Sequence, residues 1–162
     1  MATVETMLVL GALIIFSIMT LTLNDVRLDT DHTLMAGELQ LTAVSMAHDL
    51  FEQAQNLAYD EVLTDSSFAG WLPDDLTGPD NLGPDSGELY PAFDDVDDFH
   101  NYNAEWLTPR GSYQVQVAVQ YADTGATGPQ DSTSTLVKIM SVNIASEFYA
   151  DTLRMHYMLG YR

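Results

Sequence analysis

The chain has 162 residues and no cysteine, and its 24 acidic residues outnumber five Lys and Arg residues to give a net charge of −19. The absence of cysteine excludes disulfides and thiolate metal sites. The negative charge disfavours a nucleic-acid-binding surface, because phosphates are held by Lys and Arg. The same acidity favours adaptation to high salt, where charge repulsion is screened, and leaves binding of divalent cations as the alternative.

The first element is an uncharged apolar run over residues 6–23, which reaches the length of a bilayer-spanning helix. The alternatives are a cleaved signal peptide, which usually has Lys or Arg before its apolar part, and a core helix, which needs a larger domain around it. Glu5 directly precedes the run. A carboxylate at such a position is costly to bury unless it is paired. The nearest candidate partner in the same chain is the α-amino group of Met1, one helical turn away. In a polymer, the better partner is the α-amino group of a neighbouring copy.

A second helical pattern follows the apolar run without a proline. Apolar residues recur at steps of three and four, which predicts one amphipathic face. The pattern predicts a single helix over residues 2–62, and a membrane anchor followed by a separate helical stalk is the alternative. The predicted apolar stripe consists of Leu28, Met35, Leu39, Ala43, Met46, Leu50, Ala54 and Leu57.

The acidic middle of the chain, residues 64–111, holds five of the six prolines and shows no regular period. Its many aromatic residues predict an ordered, irregular excursion. The region also offers a dense group of carboxylates, which suit calcium because calcium takes six to eight oxygen ligands. Their spacing does not match an EF-hand, and a solvated acidic turn is the alternative. The candidate calcium ligands are Asp94, Asp95, Asp97 and Asp98.

The C-terminal part predicts an antiparallel sheet. Residues 113–121 alternate apolar and polar side chains, as a half-buried strand does. A second strand is predicted over residues 135–144, with a bulge near Ile139 and Met140. A third strand places Leu153 and Tyr157 on its apolar face. A sheet with one apolar face needs a partner, and the stripe of the preceding helix is the obvious one.

The predicted fold is therefore α+β, with a long N-terminal helix whose second half packs on a small antiparallel sheet. The chain divides into an apolar helix, an amphipathic helix, an acidic irregular region and a sheet, over residues 1–24, 25–63, 64–111 and 112–162. No nucleophile motif, phosphate-binding glycine loop or metal-binding histidine pair occurs in the sequence. We therefore do not expect an enzyme.

The start Met-Ala-Thr-Val-Glu, followed by the apolar residues 7–16, resembles the mature N-terminus of type IV pilins and pseudopilins. Residues 93–98, Phe-Asp-Asp-Val-Asp-Asp, are similar to a segment of mannose-sensitive-haemagglutinin-type and minor pilins. The resemblance implies that Met1 is a methylated terminus exposed by a prepilin peptidase. It also implies that Glu5 neutralises the terminus of an adjacent subunit during assembly.

The expected function is that of a structural subunit in an extracellular filament for adhesion or motility. The subunit would wait in the cytoplasmic membrane and then polymerise on the cell surface with the help of type IV pilus assembly machinery. A pseudopilin of type II secretion and a singly anchored surface binding protein are the alternatives. The residues expected in the filament core are Met7, Leu8, Leu10, Leu13, Ile14, Ile15, Phe16 and Ile18.

Overall fold

The computed structural model describes most of the chain, namely residues 2–64, 75–122, 129–130, 133–147 and 149–161. The chain divides into two compact units, Met1–Leu39 and Gln40–Arg162. One α-helix, α1 (Ala2–Asn56), contributes residues to both units. The second unit adds an antiparallel sheet, so the predicted α+β fold class is confirmed.

The first unit is formed by α1, which remains helical through the whole apolar run. The run contains several hydroxyl side chains, which lower helix propensity when they compete for backbone groups. Here Ser17 and Thr20 donate to the carbonyl oxygens of Leu13 and Phe16, each at 2.8 Å. These hydroxyls are therefore satisfied inside the helix, as an apolar environment requires.

Within the described residues, the sheet of the second unit has five strands. They are β1 (Asn103–Thr108), β2 (Gly111–Ala122), β3 (Pro129–Gln130), β4 (Val137–Ser146) and β5 (Tyr149–Gly160). The main order is β1-β2-β4-β5, with every neighbouring pair antiparallel, and the short β3 pairs with β2. The predicted alternation in the first long strand is confirmed, because β2 buries Tyr113, Val115, Val117, Val119 and Tyr121.

The second half of α1 packs on the buried face of this sheet. Within residues 40–56, side chains on one face of the helix are buried at helical spacing. The ring of Phe51 stacks on Tyr157 of β5, with 5.3 Å between ring centroids. The buried set is Ala43, Met46, Ala47, Leu50, Phe51 and Ala54.

Several element boundaries differ from the sequence predictions. The helix ends at Asn56, before the predicted residue 62, and a 3-10 turn occupies Glu61–Leu63. Strand β1 lies inside the region predicted to be irregular, so the sheet begins before residue 112. Residues of this edge strand alternate between exposed and half-buried, and none of them is fully buried. The predicted stripe residues Leu28 and Met35 are half-exposed.

The predicted bulge near Ile139 and Met140 is wrong. Both residues keep regular pairing with β2 and β5, and both are buried. Ile139 and Met140 point to opposite faces of β4, and both are buried. The alternation of buried and exposed residues is therefore interrupted at this position. The register shift instead lies between Ile144 and Ser146, where β4 turns into β5.

Before β1, the described residues of the acidic region form two short 3-10 turns, Pro79–Asn81 and Asp97–Phe99, and irregular backbone between them. Ala58, just after the helix, pairs with the backbone of residues 94–96 as an isolated parallel bridge. Its N–H donates to the Asp94 carbonyl at 3.1 Å, and its carbonyl accepts from the Val96 N–H at 3.0 Å. Rings of Tyr90, Phe93, Phe99 and Tyr102 contact one another in a cluster. The bridge places the acidic segment beside the end of α1.

Helix–sheet packing can be tested with a matched pair of leucines. Leu50 is fully buried, whereas Leu41 on the same helix is 71% exposed. We expect Leu50→Ala to lower the free energy of unfolding by about 3 kcal/mol, because the lost methyl groups leave a cavity. Leu41→Ala is expected to change it by less than about 0.5 kcal/mol. Urea unfolding of the detergent-solubilised chain measures both, and equal effects would contradict the packing described here.

Candidate functional site

The first candidate site is the apolar surface of α1. Thirteen large apolar side chains between Val4 and Leu23 are each more than half exposed. Consecutive residues such as Leu13, Ile14 and Ile15 point in different directions around a helix, so the apolar surface surrounds the axis. Burying these side chains is worth on the order of 20–40 kcal/mol. The surface therefore needs a lipid or protein partner.

Glu5 lies in the first turn of α1 and is exposed. With Thr6, Val9 and Leu10 it lines a shallow depression on the helix surface. A carboxylate in a first helical turn is stabilised by the helix dipole. Met1, which was predicted to act with Glu5 in assembly, lies outside the described residues. All eight predicted filament-core residues, Met7 to Ile18, lie on the exposed apolar surface.

Among the described residues, α1 is the one helix long and apolar enough to cross a membrane. This criterion depends on length and composition, which a membrane anchor and a signal sequence both satisfy. The apolar N-terminal helix is therefore compatible with either role.

The second candidate site is centred on Lys138, the single lysine of the chain. It occupies a position on the buried face of β4, in line with Met140 and Val142, and its side chain is fully buried. Its Nζ donates to the Tyr59 carbonyl and to Asp60 Oδ2, both at 2.8 Å, and to Asp97 Oδ1. All three ammonium donors are therefore used.

Two tyrosine rings complete the surroundings of the lysine. Its Nζ lies 4.4 Å from the ring centroid of Tyr59 and 5.1 Å from that of Tyr121. Both distances suit cation–π attraction, which is strongest where water is excluded. Burial raises the pKa of each tyrosine, and the nearby carboxylates of Asp60 and Asp97 add to this effect. Both rings therefore remain neutral.

Asp60 follows the helix end closely and is held as a carboxylate. Its Oδ1 accepts from the Thr77 N–H at 3.1 Å and from Thr77 Oγ1 at 2.9 Å. Its Oδ2 accepts from Lys138 and lies 3.0 Å from the Tyr121 hydroxyl. Burial alone would raise the pKa of Asp60, but attraction to Lys138 and these hydrogen bonds outweigh it, so the pKa lies below its usual value.

The acidic turn around residues 94–98 supplies the remaining carboxyl groups. Asp95 Oδ1 accepts from the Asp98 N–H at 3.1 Å, and Asp98 Oδ2 accepts from the Asp94 N–H at 3.1 Å, so the turn caps itself. Burial raises the pKa of Asp95 to about 8, and the charges of Asp97 and Asp98 contribute. Burial also raises the pKa of Asp97 to about 7, against the attraction of Lys138.

One oxygen of Asp95 and one of Asp97 have no hydrogen-bond partner among the described residues. These atoms are the two Oδ2 oxygens, and both lie in buried side chains. An ionised carboxylate with a buried, unpaired oxygen is unfavourable. Both groups are therefore better accommodated as neutral acids.

The structure divides the four predicted calcium ligands between two places. Asp97 points to Lys138, and Asp95 is buried in the turn. Asp94 and Asp98 instead lie near Glu88, and carboxylate oxygens of these three residues lie within 4.8 Å of one another. A calcium ion at this turn would therefore use Glu88 in place of Asp95 and Asp97. Calcium binding stays a prediction.

Sequence reasoning missed Lys138 and Asp60 as members of a site. The signal for Lys138 was present, because a lone lysine alternates with the apolar residues Met140, Val142 and Ile144 of a core strand. A charged residue in such a position is rarely buried without a paired carboxylate. Asp60 carried no comparable signal, because it is one acid among 24.

The raised pKa of Asp95 predicts how the free energy of unfolding changes with pH. Its pKa rises from 3.8 to about 8 on folding, so between these values the folded state holds a proton that the unfolded state releases. Stability therefore falls as pH rises from 5 to 8, by at least about 1 kcal/mol. Asp60 contributes the opposite trend, but only below its usual pKa, which lies outside this window.

Asp95→Asn keeps the acceptor for the Asp98 N–H and removes the titrating proton. We expect it to flatten the decline in unfolding free energy between pH 5 and pH 8. Asp94→Asn, at the exposed neighbouring position, serves as the control and should leave the decline unchanged. Urea unfolding at both pH values measures the effect. An undiminished decline in Asp95→Asn would contradict the assignment.

No protein-family model, curated protein or solved structure matches this sequence significantly.

Proposed function

We propose that this chain is the structural subunit of a type IV pilus-like filament, which polymerises through the apolar part of α1. The observation that carries the proposal is a helix surface apolar on all sides, with one carboxylate, Glu5, at its start. This combination is what the resemblance to mature type IV pilins leads one to expect. The filament would serve adhesion or motility at the cell surface.

The length of α1 supports this proposal. The helix has 55 residues, about 80 Å at 1.5 Å per residue. A single bilayer crossing needs only about 20 residues. The remaining residues continue into the second unit, where they form part of its core. One continuous helix therefore contributes residues both to the apolar surface and to the core of the second unit.

Assembly would exchange lipid contacts for protein contacts. In the membrane, the apolar side chains of residues 6–23 lie in hydrocarbon. In a filament, the same side chains pack against equivalent helices of neighbouring copies, where close packing adds dispersion attraction. Glu5 then leaves the lipid interface, and the terminal amine of a neighbouring copy neutralises it. The pairing sets the axial register of each new subunit, since an unpaired buried carboxylate is strongly unfavourable.

The acidic second unit suits the outside of such a filament. Most of the excess negative charge lies after residue 40, and the apolar run carries none. Like charges on neighbouring units keep filaments apart and soluble, while salt screens the repulsion within each filament.

The role of Glu5 is tested by Glu5→Ala in the native host. We expect unchanged amounts of subunit in the membrane fraction, because the apolar run is intact. The yield of sheared surface filaments should fall by at least about tenfold, because the register-setting charge pair is lost. Immunoblots of the two fractions and negative-stain microscopy provide the measurement.

Asp25→Ala, which removes an exposed carboxylate just beyond the apolar run, is the matched control and should leave filaments intact. Normal filament yield from Glu5→Ala would refute the assembly role. Wild-type chains found only as membrane-bound monomers would favour a singly anchored surface protein instead.

A further inference from the structure

Lys138 and Asp97 are in direct contact, and both side chains are almost completely buried. We propose that Lys138 Nζ and Asp97 Cγ become joined by an intramolecular isopeptide bond, formed by the folded chain itself with loss of water. The bond would link the acidic turn after α1 to the inner strand β4. It is a modification of the second unit and does not depend on filament assembly.

The reacting groups are held together by the fold. Lys138 Nζ contacts Asp97 Oδ1, and both side chains are almost completely buried. Lys138 cannot swing away, because its Nζ also bonds to the Tyr59 carbonyl and to Asp60. Fixing an amine against a carboxyl group converts a bimolecular reaction into an intramolecular one, which corresponds to a very high effective concentration.

The two carboxyl groups around Lys138 differ in ways that suit different roles. Asp60 accepts hydrogen bonds at both oxygens, from Thr77 and from Lys138, and is stabilised as a carboxylate. It lies 2.8 Å from Nζ, within reach to accept a proton from the amine. Asp97 has a buried Oδ2 without a partner among the described residues, and burial favours its neutral acid form. A neutral carboxyl group is the better acceptor for a nucleophile.

The proposed reaction balances without any further reactant. Asp60 takes one proton from the Lys138 ammonium, and the free amine attacks Asp97 Cγ. The new N–C bond forms while one C–O bond of Asp97 breaks. The departing oxygen leaves as water, carrying two protons in total from the amine and the carboxyl group. Asp60 keeps the proton that it took from the ammonium and ends as a neutral acid, and nothing is oxidised or reduced.

Burial favours the amide over the ion pair. A lysine and several carboxyl groups crowd one buried region, and keeping charges there carries a large desolvation penalty. Amide formation removes the positive charge of Lys138, and the transferred proton removes the negative charge of Asp60. The tyrosine rings of Tyr59 and Tyr121 cover the amine and help to exclude the water that would reverse the reaction.

The experiment is tryptic digestion of the purified, denatured full-length chain, followed by mass spectrometry. Trypsin does not cleave after an acylated lysine. The bond therefore predicts one branched product, in which segment 28–110 is joined to segment 111–154 with the loss of one water. Fragmentation is expected to place the branch between Lys138 and Asp97. An unlinked chain instead releases segments 111–138 and 139–154 separately.

Asp97→Ala removes the acyl group and is expected to release segment 111–138 in full. Asp94→Ala, three residues away and exposed, is the matched control and should retain the branched product. Release of 111–138 as the main product from the wild-type chain overturns the proposal, as does a branch point at Asp60. The wild-type digest decides the matter even where Asp97→Ala fails to fold.

Discussion

The exposed apolar surface of α1 is the constraint on which the rest of the molecule depends. Thirteen large apolar side chains between Val4 and Leu23 are each more than half exposed. Water cannot accommodate such a surface at this cost, so the segment must lie in lipid or against other proteins. Lipid hydrocarbon accommodates the apolar side chains but does not stabilise the charge that Glu5 adds at one end of the apolar run. The proposed assembly with other copies would bury the apolar surface and neutralise the charge of Glu5.

The second unit obeys a different constraint. Its sheet and the end of α1 form a small apolar core, and Lys138 places a charge on the buried face of that core. Asp60 and Asp97 converge on it from segments far apart in the sequence. A buried charge with several partners specifies one arrangement of these segments, because any other leaves it unpaired. The irregular acidic region is thereby held in place without regular secondary structure.

The elements predicted correctly from the sequence are those whose apolar residues recur at a regular spacing. The apolar run, the buried stripe from Ala43 to Ala54 and the alternation of β2 were all visible, because burial on one face leaves a repeating pattern. Strand β1 was missed because neither of its faces is fully buried. The lysine cluster was missed because Tyr59, Asp60, Asp97 and Lys138 are brought together only by tertiary folding. The acidic residues 94–98 predicted a calcium site. The buried Asp97 instead contacts Lys138, and the buried Asp95 lies within the turn.

The most direct test of the central claim uses the absence of cysteine from the chain. Ile14→Cys places a single thiol in the middle of the apolar run, where mild oxidation of surface material can join only neighbouring copies. If α1 helices pack against one another, non-reducing gels of sheared material will show disulfide-linked dimers, and Leu89→Cys, at an exposed position in the second unit, will remain monomeric. Monomers alone from Ile14→Cys, with the thiol still reactive, would contradict the account.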